Sequence, residues 1–199
     1  MTLLITGATG HIGLALTRQA ALSGKVIALY RDQLRANDTE TAGSNVTWLQ
    51  CDLTNSAAVT AIAKAHRVDA CIHAAAIPNE AYARPNSLDA INTNIGATAN
   101  LLDAARMHDW RRFIFVSTGS VFSKRADTAS PIPEDATPAP ANIYSTTKYS
   151  AELLTRMYRT EFGLSASTVR ISWVFGPPVI SDSPTRGPTP SYLMRALRG

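Results

Sequence analysis

The chain has 199 residues, of which 45% are hydrophobic and 17% are charged, and its formal net charge is +4. This length suits one α/β domain with a buried core, and the composition is that of a globular protein. The basic residues are scattered, whereas a nucleic-acid groove needs a basic stripe with interleaved aromatics, so we expect no nucleic-acid partner. No apolar run is long enough to cross a membrane and no signal peptide is readable, so we expect a cytoplasmic protein without a membrane partner.

Short β-rich runs alternate with longer helical patterns, which is typical of βαβ units around a parallel sheet. The predicted strands cover residues 2–6, 26–30, 46–51, 68–73, 112–117 and 165–172. The predicted helices cover residues 11–23, 55–65, 86–108, 143–162 and 191–198. Four prolines between positions 131 and 140 predict a loop over residues 123–142. Cys51 and Cys71 each end an apolar run and are expected to be buried, reduced thiols; no His/Cys spacing predicts a metal site.

The first predicted strand runs directly into three glycines, at positions 7, 10 and 13, and then into a helix. Gly7 permits a tight turn, Gly10 lets backbone N–H groups approach a pyrophosphate, and Gly13 lets the helix pack closely on the strand. The pyrophosphate would then lie at the positive end of the helix dipole. The motif predicts a dinucleotide site in a Rossmann-like α/β fold, a doubly wound parallel β-sheet flanked by helices. Its other expected cofactor contacts are Thr9, His11 and Ile12.

The end of the second predicted strand bears on the choice between NAD and NADP. An acid at this point bonds the ribose hydroxyls of NAD, whereas an arginine accommodates the 2′-phosphate of NADP. Here Tyr30 takes the place of the acid, Arg31 follows it, and Arg35 is another possible phosphate contact. The sequence therefore favours NADP. Two alternatives stay open: Asp32 allows NAD binding in a shifted loop, and Arg31 is also compatible with a solvated loop charge.

Tyr144 and Lys148 lie four residues apart at the start of a predicted helix and therefore share one of its faces. A free phenol has a pKa near 10, and a nearby ammonium together with a positively charged oxidised nicotinamide would favour the phenolate. Lowering that pKa to about 7 takes about 4 kcal/mol. Tyr144 would then remove the proton of a substrate hydroxyl as hydride leaves its carbon, or return it in reduction.

Together these motifs resemble the extended branch of the short-chain dehydrogenase/reductase superfamily, that is, the NAD-dependent epimerases and dehydratases. The resemblance covers residues 1–178 and implies an NAD(P)-binding domain there, with residues 179–199 starting a truncated substrate region. It also implies further cofactor contacts at Asp52, Leu53, Ala74, Ala75, Ala76, Asn94, Lys148 and Trp173. Asn94 would be structural, and Trp173 would line the nicotinamide or substrate pocket, with ordinary core packing as the alternative.

The resemblance also assigns the reacting oxygen a hydroxyl partner. Thr118 falls on the family's catalytic Ser/Thr position, and Ser120 is a second substrate-contacting candidate nearby. Phe122 and Ser123 replace the family's Tyr-Gly, and no Thr-Asp-Glu triplet is present, which argues against a sugar-nucleotide 4,6-dehydratase. Epimerisation and carbonyl reduction of a small-molecule substrate are the leading expectations, with sugar nucleotides the commonest substrates of relatives. A steroid- or flavonoid-type reductase and a non-catalytic NADP-binding sensor or scaffold are the alternatives.

The two long predicted helices, residues 86–108 and 143–162, match those that form four-helix dimer interfaces in relatives, so the resemblance implies a homodimer. Relatives of the extended branch also continue well beyond the sixth strand. The chain is therefore expected to be either a fragment or a shortened protein, with the cofactor site retained and most of the specificity pocket outside it.

Overall fold

The computed structural model describes residues 1–40, 42–124 and 130–176, together with residue 196. Its six strands are β1 (Thr2–Thr6), β2 (Lys25–Tyr30), β3 (Val46–Gln50), β4 (Ala70–His73), β5 (Arg112–Thr118) and β6 (Ala166–Ile171). They form one sheet in the order β3-β2-β1-β4-β5-β6, and each neighbouring pair is parallel. The strand order reverses between β1 and β4, and dinucleotides bind doubly wound sheets at such a switch point.

Helices lie on both faces of the sheet. They are α1 (His11–Ala21), α2 (Ala36–Glu40), α3 (Ser56–Ala65), α4 (Glu80–Ala83), α5 (Ser87–Ile91), α6 (Ala97–Met107) and α7 (Ile143–Phe162). A π-helical segment, Asn92–Gly96, joins α5 to α6, and a 3₁₀ turn, Gly119–Phe122, follows β5. Alternate residues of one strand serve opposite faces: Leu4 packs in the core beneath α3, α6 and α7, while Ile5 packs in the core beneath α1.

The predicted fold class is confirmed, and the predicted strands agree with the observed ones to within two residues at each end. Both cysteines are buried and free, as expected. Helices α2 and α4 were not predicted, because elements of five and four residues are too short to show a helical period. The helix predicted at residues 191–198 lies outside the described residues. Within the described ranges, no helix is long and apolar enough to cross a membrane.

A buried histidine at the end of β4 organises the switch point. Thr98 donates its hydroxyl to the Asn94 carbonyl over 2.7 Å, so its oxygen accepts from Nε2 of His73 over 3.0 Å. The other ring nitrogen, Nδ1, is then the acceptor for the hydroxyl of Thr6 at 2.7 Å. Burial lowers the pKa of His73 to about 3, and the positive charge of Lys148 acts in the same direction. The ring is therefore neutral in the folded protein.

We expect His73 to make stability depend on pH. In the unfolded chain, His73 is protonated below its ordinary pKa of about 6.5. In the folded chain it stays neutral until the pH falls to about 3. The stability that depends on the neutral ring is fully present above pH 6.5. As the pH falls from 6.5 towards 3, the free energy of unfolding decreases by up to about 1.4 kcal/mol per pH unit. Chemical denaturation between pH 7 and 4 measures it. His73→Gln should flatten the slope, and His66→Gln, at the C-terminal end of α3, is the matched control; equal slopes in all three proteins would contradict the assignment.

Candidate dinucleotide and acid–base site

The turn after β1 packs against the end of β4 at backbone distance. Gly7 has φ +65°, and a Cβ there would lie 2.8 Å from the Cα of Ala75. A Cβ on Gly13 would overlap the carbonyl oxygen of Gly7. Both positions therefore exclude a side chain, and together they bring the start of α1 close to the sheet.

Gly10 leaves the first turn of α1 open to a ligand. It is the N-cap residue of α1, so no side chain caps the first-turn amides there. Its own N–H donates to the Gly7 carbonyl over 2.9 Å, and a Cβ on Gly10 would approach only that oxygen, at 3.0 Å. A helix N-terminus with this clear space suits an anionic pyrophosphate. The residues present therefore fit a dinucleotide, with Thr9, His11 and Ile12 completing the turn.

The two arginines near the end of β2 both have acidic partners. Arg31 pairs with Asp32 at 2.8 Å, and both side chains are more than half exposed. Arg35 pairs with the buried Asp38 at 2.9 Å and also reaches the carbonyl of Thr9 over 3.4 Å. Arg35 therefore lies beside the glycine turn, which its position in the sequence did not reveal.

The remaining cofactor candidates lie along the same edge of the sheet. The carboxylate of Asp52 is exposed and accepts two hydrogen bonds from Thr54, which lower the pKa of Asp52. Leu53 is buried, while the half-buried Ala74, Ala75 and Ala76 follow β4 directly. The amides of Ala74 and Ala75 both donate to the hydroxyl oxygen of Thr6, at 3.2 and 3.1 Å.

Asn94 is buried in the π-helical segment, and protein groups occupy its side chain. Its Oδ1 accepts from the amide of Ile77 at 2.8 Å, and its Nδ2 donates to the Ile77 carbonyl and to Oγ1 of Thr147. The expected structural role agrees with this geometry. Asn94 thus fixes the backbone of the segment after β4 by binding Ile77.

Tyr144 and Thr118 come together at the carboxyl end of β5. Thr118 ends that strand, and Tyr144 is the second residue of α7. Burial raises the pKa of Tyr144 above its ordinary value, and the neighbouring hydroxyl of Thr118 opposes this rise. The predicted lowering towards neutrality is therefore absent from the protein by itself. Ser120 is half-buried, and its amide donates to Oγ1 of Thr118 over 3.1 Å.

Lys148 lies one helical turn after Tyr144, as predicted, but its ammonium group binds the backbone. Its Nζ donates to the carbonyl of Val116 over 2.7 Å and lies 4.1 Å from the centre of the Phe115 ring. Burial lowers the pKa of Lys148 to about 7, although the negative charge of Glu152 acts against this. At neutral pH the Lys148 ammonium group is therefore close to its pKa and can lose its proton.

Two acidic residues that sequence reasoning missed also contact this region. Glu152, one turn after Lys148, forms a bidentate ion pair with Arg170 of β6, with a shortest distance of 2.7 Å. Glu80 of α4 accepts from the amide of Tyr144 over 3.0 Å. The spacing of Glu152 from Lys148 was a usable signal, whereas nothing in the sequence connects Glu80 to Tyr144.

Trp173 follows β6 and is 70% exposed, with φ +52°. The alternative that it is an ordinary core residue is therefore wrong. Its assignment to the nicotinamide or substrate pocket stays a prediction. In the described part of the chain, no cluster of three His, Cys, Asp or Glu side chains offers a metal site.

A doubly wound sheet with this glycine turn at its switch point defines a dinucleotide-binding protein of the short-chain dehydrogenase/reductase type. The chain belongs to the NAD dependent epimerase/dehydratase family, whose family model matches residues 3–199.

The chain is 30% identical over 186 residues to UDP-glucuronate 4-epimerase of Thermodesulfobacterium geofontis, covering 87% of this chain and 56% of that protein. It is 29% identical over 206 residues to dTDP-4-dehydro-6-deoxy-D-allose reductase of a Streptomyces species, covering 100% of this chain and 63% of that protein. The crystal structure of Thermus thermophilus UDP-glucose 4-epimerase in complex with NAD matches with a TM-score of 0.80 and 25% identity, covering 89% of this chain and 57% of that one. The chain thus spans little more than half the length of these relatives.

The two glycines Gly13 and Gly96 should respond in opposite ways to alanine. Gly13→Ala places a methyl group into the Gly7 carbonyl, so we expect a loss of about 2–3 kcal/mol or more in unfolding free energy. Gly96→Ala meets nothing within 4 Å in a helical segment, so we expect no loss and a gain of up to about 1 kcal/mol. Urea denaturation of both variants measures this. A Gly13→Ala variant as stable as Gly96→Ala would disprove the close approach.

Proposed function

We propose that the whole protein is an NAD(P)-dependent oxidoreductase or epimerase that acts on a hydroxyl or carbonyl carbon of a sugar nucleotide. The observation that carries this proposal is that Tyr144, in the first turn of α7, and Thr118, at the carboxyl end of β5, are neighbours at the edge of the parallel sheet where β1 also ends. Two hydroxyl groups at the carboxyl edge of the sheet offer a substrate oxygen both a proton acceptor and a fixed partner. The sugar-nucleotide class is supported by the names of the relatives, which include an epimerase and a reductase.

In the proposed reaction Tyr144 moves the proton, and a bound nicotinamide cofactor supplies the hydride acceptor or donor. Tyr144 takes a proton from a substrate hydroxyl during oxidation and returns it during reduction. Thr118 orients the substrate oxygen, and Ser120 is a second contact of the same kind. For epimerisation the same phenol acts twice, first as a base and then as an acid.

Lys148 serves this chemistry as a buried positive charge. Its ammonium is anchored by the Val116 carbonyl, so its position is set before any ligand binds. A cation in a dry site favours the phenolate form of a neighbouring tyrosine. Because burial raises the pKa of Tyr144, further positive charge from an oxidised cofactor is needed to make the phenol an effective base. Base catalysis would thereby be coupled to cofactor binding.

NADP is the proposed cofactor, because Arg31 and Arg35 flank the edge where the adenosine ribose of a dinucleotide would lie. Arg35 contacts the carbonyl of Thr9 in the glycine turn. The ion pair of Arg31 with Asp32 is exposed, so Arg31 can exchange this partner for a phosphate group. Guanidinium groups bind phosphates through charge-assisted hydrogen bonds that carry about 1.5–3 kcal/mol each. The acid that would hold the ribose hydroxyls of NAD is replaced by Tyr30.

Calorimetric titration of the 199-residue chain with NADP and with NAD tests the cofactor proposal. NADP should bind at least about tenfold more tightly than NAD, and Arg31→Ala or Arg35→Ala should remove most of that difference. Arg106→Ala, which removes an exposed ion pair with Asp103 on α6, is the matched control. Tighter binding of NAD by the unmodified chain would contradict the proposed preference.

Tyr144→Phe tests the acid–base assignment in the whole protein. We expect turnover to fall at least about 100-fold, because the proton acceptor is lost, while cofactor affinity stays nearly unchanged. Interconversion of UDP-glucose, UDP-glucuronate and their 4-epimers, followed by NMR, measures the turnover. Tyr158→Phe, near the far end of α7, is the control and should retain full activity. Unchanged turnover in Tyr144→Phe would exclude the phenol as the base.

A homodimer is also proposed, formed through the helices that carry the site. Leu153 and Met157 lie one turn apart on α7 and are each more than a third exposed. Leu88 and Ile91 of α5 are also exposed, and α5 packs against α7. Burial of these side chains against a second copy would remove apolar surface from water.

A further inference from the structure

Glu80 contacts the residue that carries the proposed base. It is the first residue of α4, and the Asn79 side chain caps that short helix by accepting from the amide of Tyr82. Its Oε2 accepts from the backbone N–H of Tyr144 over 3.0 Å. Glu80 and Tyr144 are 64 residues apart in the sequence and come from separate helices.

In the first turn of α7, the amide of Tyr144 takes its acceptor from another helix. Initial helical amides have no acceptor within their own helix. Here the side chain of Asn142 accepts from the amide of Ser145, and the Ser145 hydroxyl oxygen accepts from the amide of Asn142, which completes a capping box. The amide of Tyr144 lies between these two and is satisfied from outside the helix, by a carboxylate that the positive end of the α7 dipole also stabilises.

The peptide groups of Tyr144 are held on the other side by a hydrogen-bond chain. Thr147 donates its hydroxyl to the Tyr144 carbonyl over 2.9 Å, and Asn94 donates to the Thr147 oxygen over the same distance. Asn94 also binds both the amide and the carbonyl of Ile77, in the segment between β4 and α4. The segment that leads from Ile77 to Glu80 therefore binds the Tyr144 amide directly, through Glu80, and is linked to the Tyr144 carbonyl through Asn94 and Thr147.

We propose that Glu80 is a positioning residue for Tyr144: its carboxylate fixes the first turn of α7 and so keeps the phenol beside Thr118. The inference rests on the proposed role of Tyr144 as the acid–base group. Displacements of about 1 Å can lower an enzyme's rate by about 100-fold, so the loss of a single hydrogen bond that holds the backbone of the reacting residue can lower the rate measurably. The negative charge of Glu80 would by itself disfavour a nearby phenolate, so the function assigned to Glu80 is geometric.

The variants Glu80→Gln and Glu80→Ala separate the hydrogen bond from the charge. Both lack the negative charge, but glutamine retains a side-chain oxygen that can accept from Tyr144. The charged and polar groups that contact or adjoin Tyr144 are otherwise the same in both: Thr118 on β5 and Lys148 on α7. We expect Glu80→Gln to keep turnover within about threefold of the unmodified protein and Glu80→Ala to lose about tenfold or more in kcat, with little change in cofactor affinity.

A second readout needs no substrate. The ultraviolet absorbance of tyrosinate, titrated with and without the Tyr144→Phe change in each background, isolates the ionisation of Tyr144. The neighbouring hydroxyl of Thr118 acts to lower the pKa of Tyr144, so displacement of the phenol from Thr118 should give Glu80→Ala a higher apparent pKa for Tyr144 than Glu80→Gln. A purely structural cap would lower the melting temperature without separating the two variants in this titration.

Equal tyrosinate titrations in folded Glu80→Ala and Glu80→Gln would overturn the positioning role. If Glu80→Ala does not fold, Glu80→Asp replaces it, because aspartate keeps the charge but is too short by one methylene to reach the Tyr144 amide from the same helix position. Absence of turnover in the unmodified whole protein with every sugar nucleotide would count against the proposed function instead. The tyrosinate comparison would then still decide the role of Glu80.

Discussion

The rest of the site depends on the hydrogen bonds of the Thr6 hydroxyl group. Its oxygen accepts from the amides of Ala74 and Ala75, and its hydrogen goes to Nδ1 of His73. One side chain at the end of β1 thereby ties that strand to the segment after β4, across the point where the strand order reverses. The glycine turn follows directly, and Gly7 can approach Ala75 this closely because it has no side chain. Since burial keeps His73 neutral, the network has one proton arrangement at physiological pH.

Helix α7 adds the proposed acid–base residue to this frame. Tyr144, Lys148 and Glu152 follow one another at intervals of one turn, and their neighbours lie on two strands: Thr118 and Val116 on β5, and Arg170 on β6. Burial acts on the first two in a consistent sense, since it disfavours the charged form of each by raising the pKa of Tyr144 and lowering that of Lys148. Without the positive charge of a cofactor, the neutral phenol is therefore the favoured form of Tyr144.

Much of this was accessible from the sequence. Three features are local patterns: the alternation of strands and helices, the three glycines of the first turn, and the four-residue spacing of Tyr144 and Lys148. Such patterns lie within short stretches of sequence and can be recognised without the tertiary structure. The fold class, the order of the elements and the shared helical face of Tyr144 and Lys148 were predicted for that reason. The family, too, is carried by such motifs, and the chain spans 56% and 63% of the two named relatives.

By itself, then, the sequence determined the class of fold and indicated which residues to propose for the cofactor site and for the base. Only the tertiary structure decided how those residues are held and charged. The contact between Glu80 and Tyr144, the exposure of Trp173 and the anchoring of Lys148 on a backbone carbonyl join groups that are distant in the chain or depend on side-chain direction. The direction of the pKa shift at Tyr144 likewise follows from burial, which is a property of the packed molecule and of no single segment.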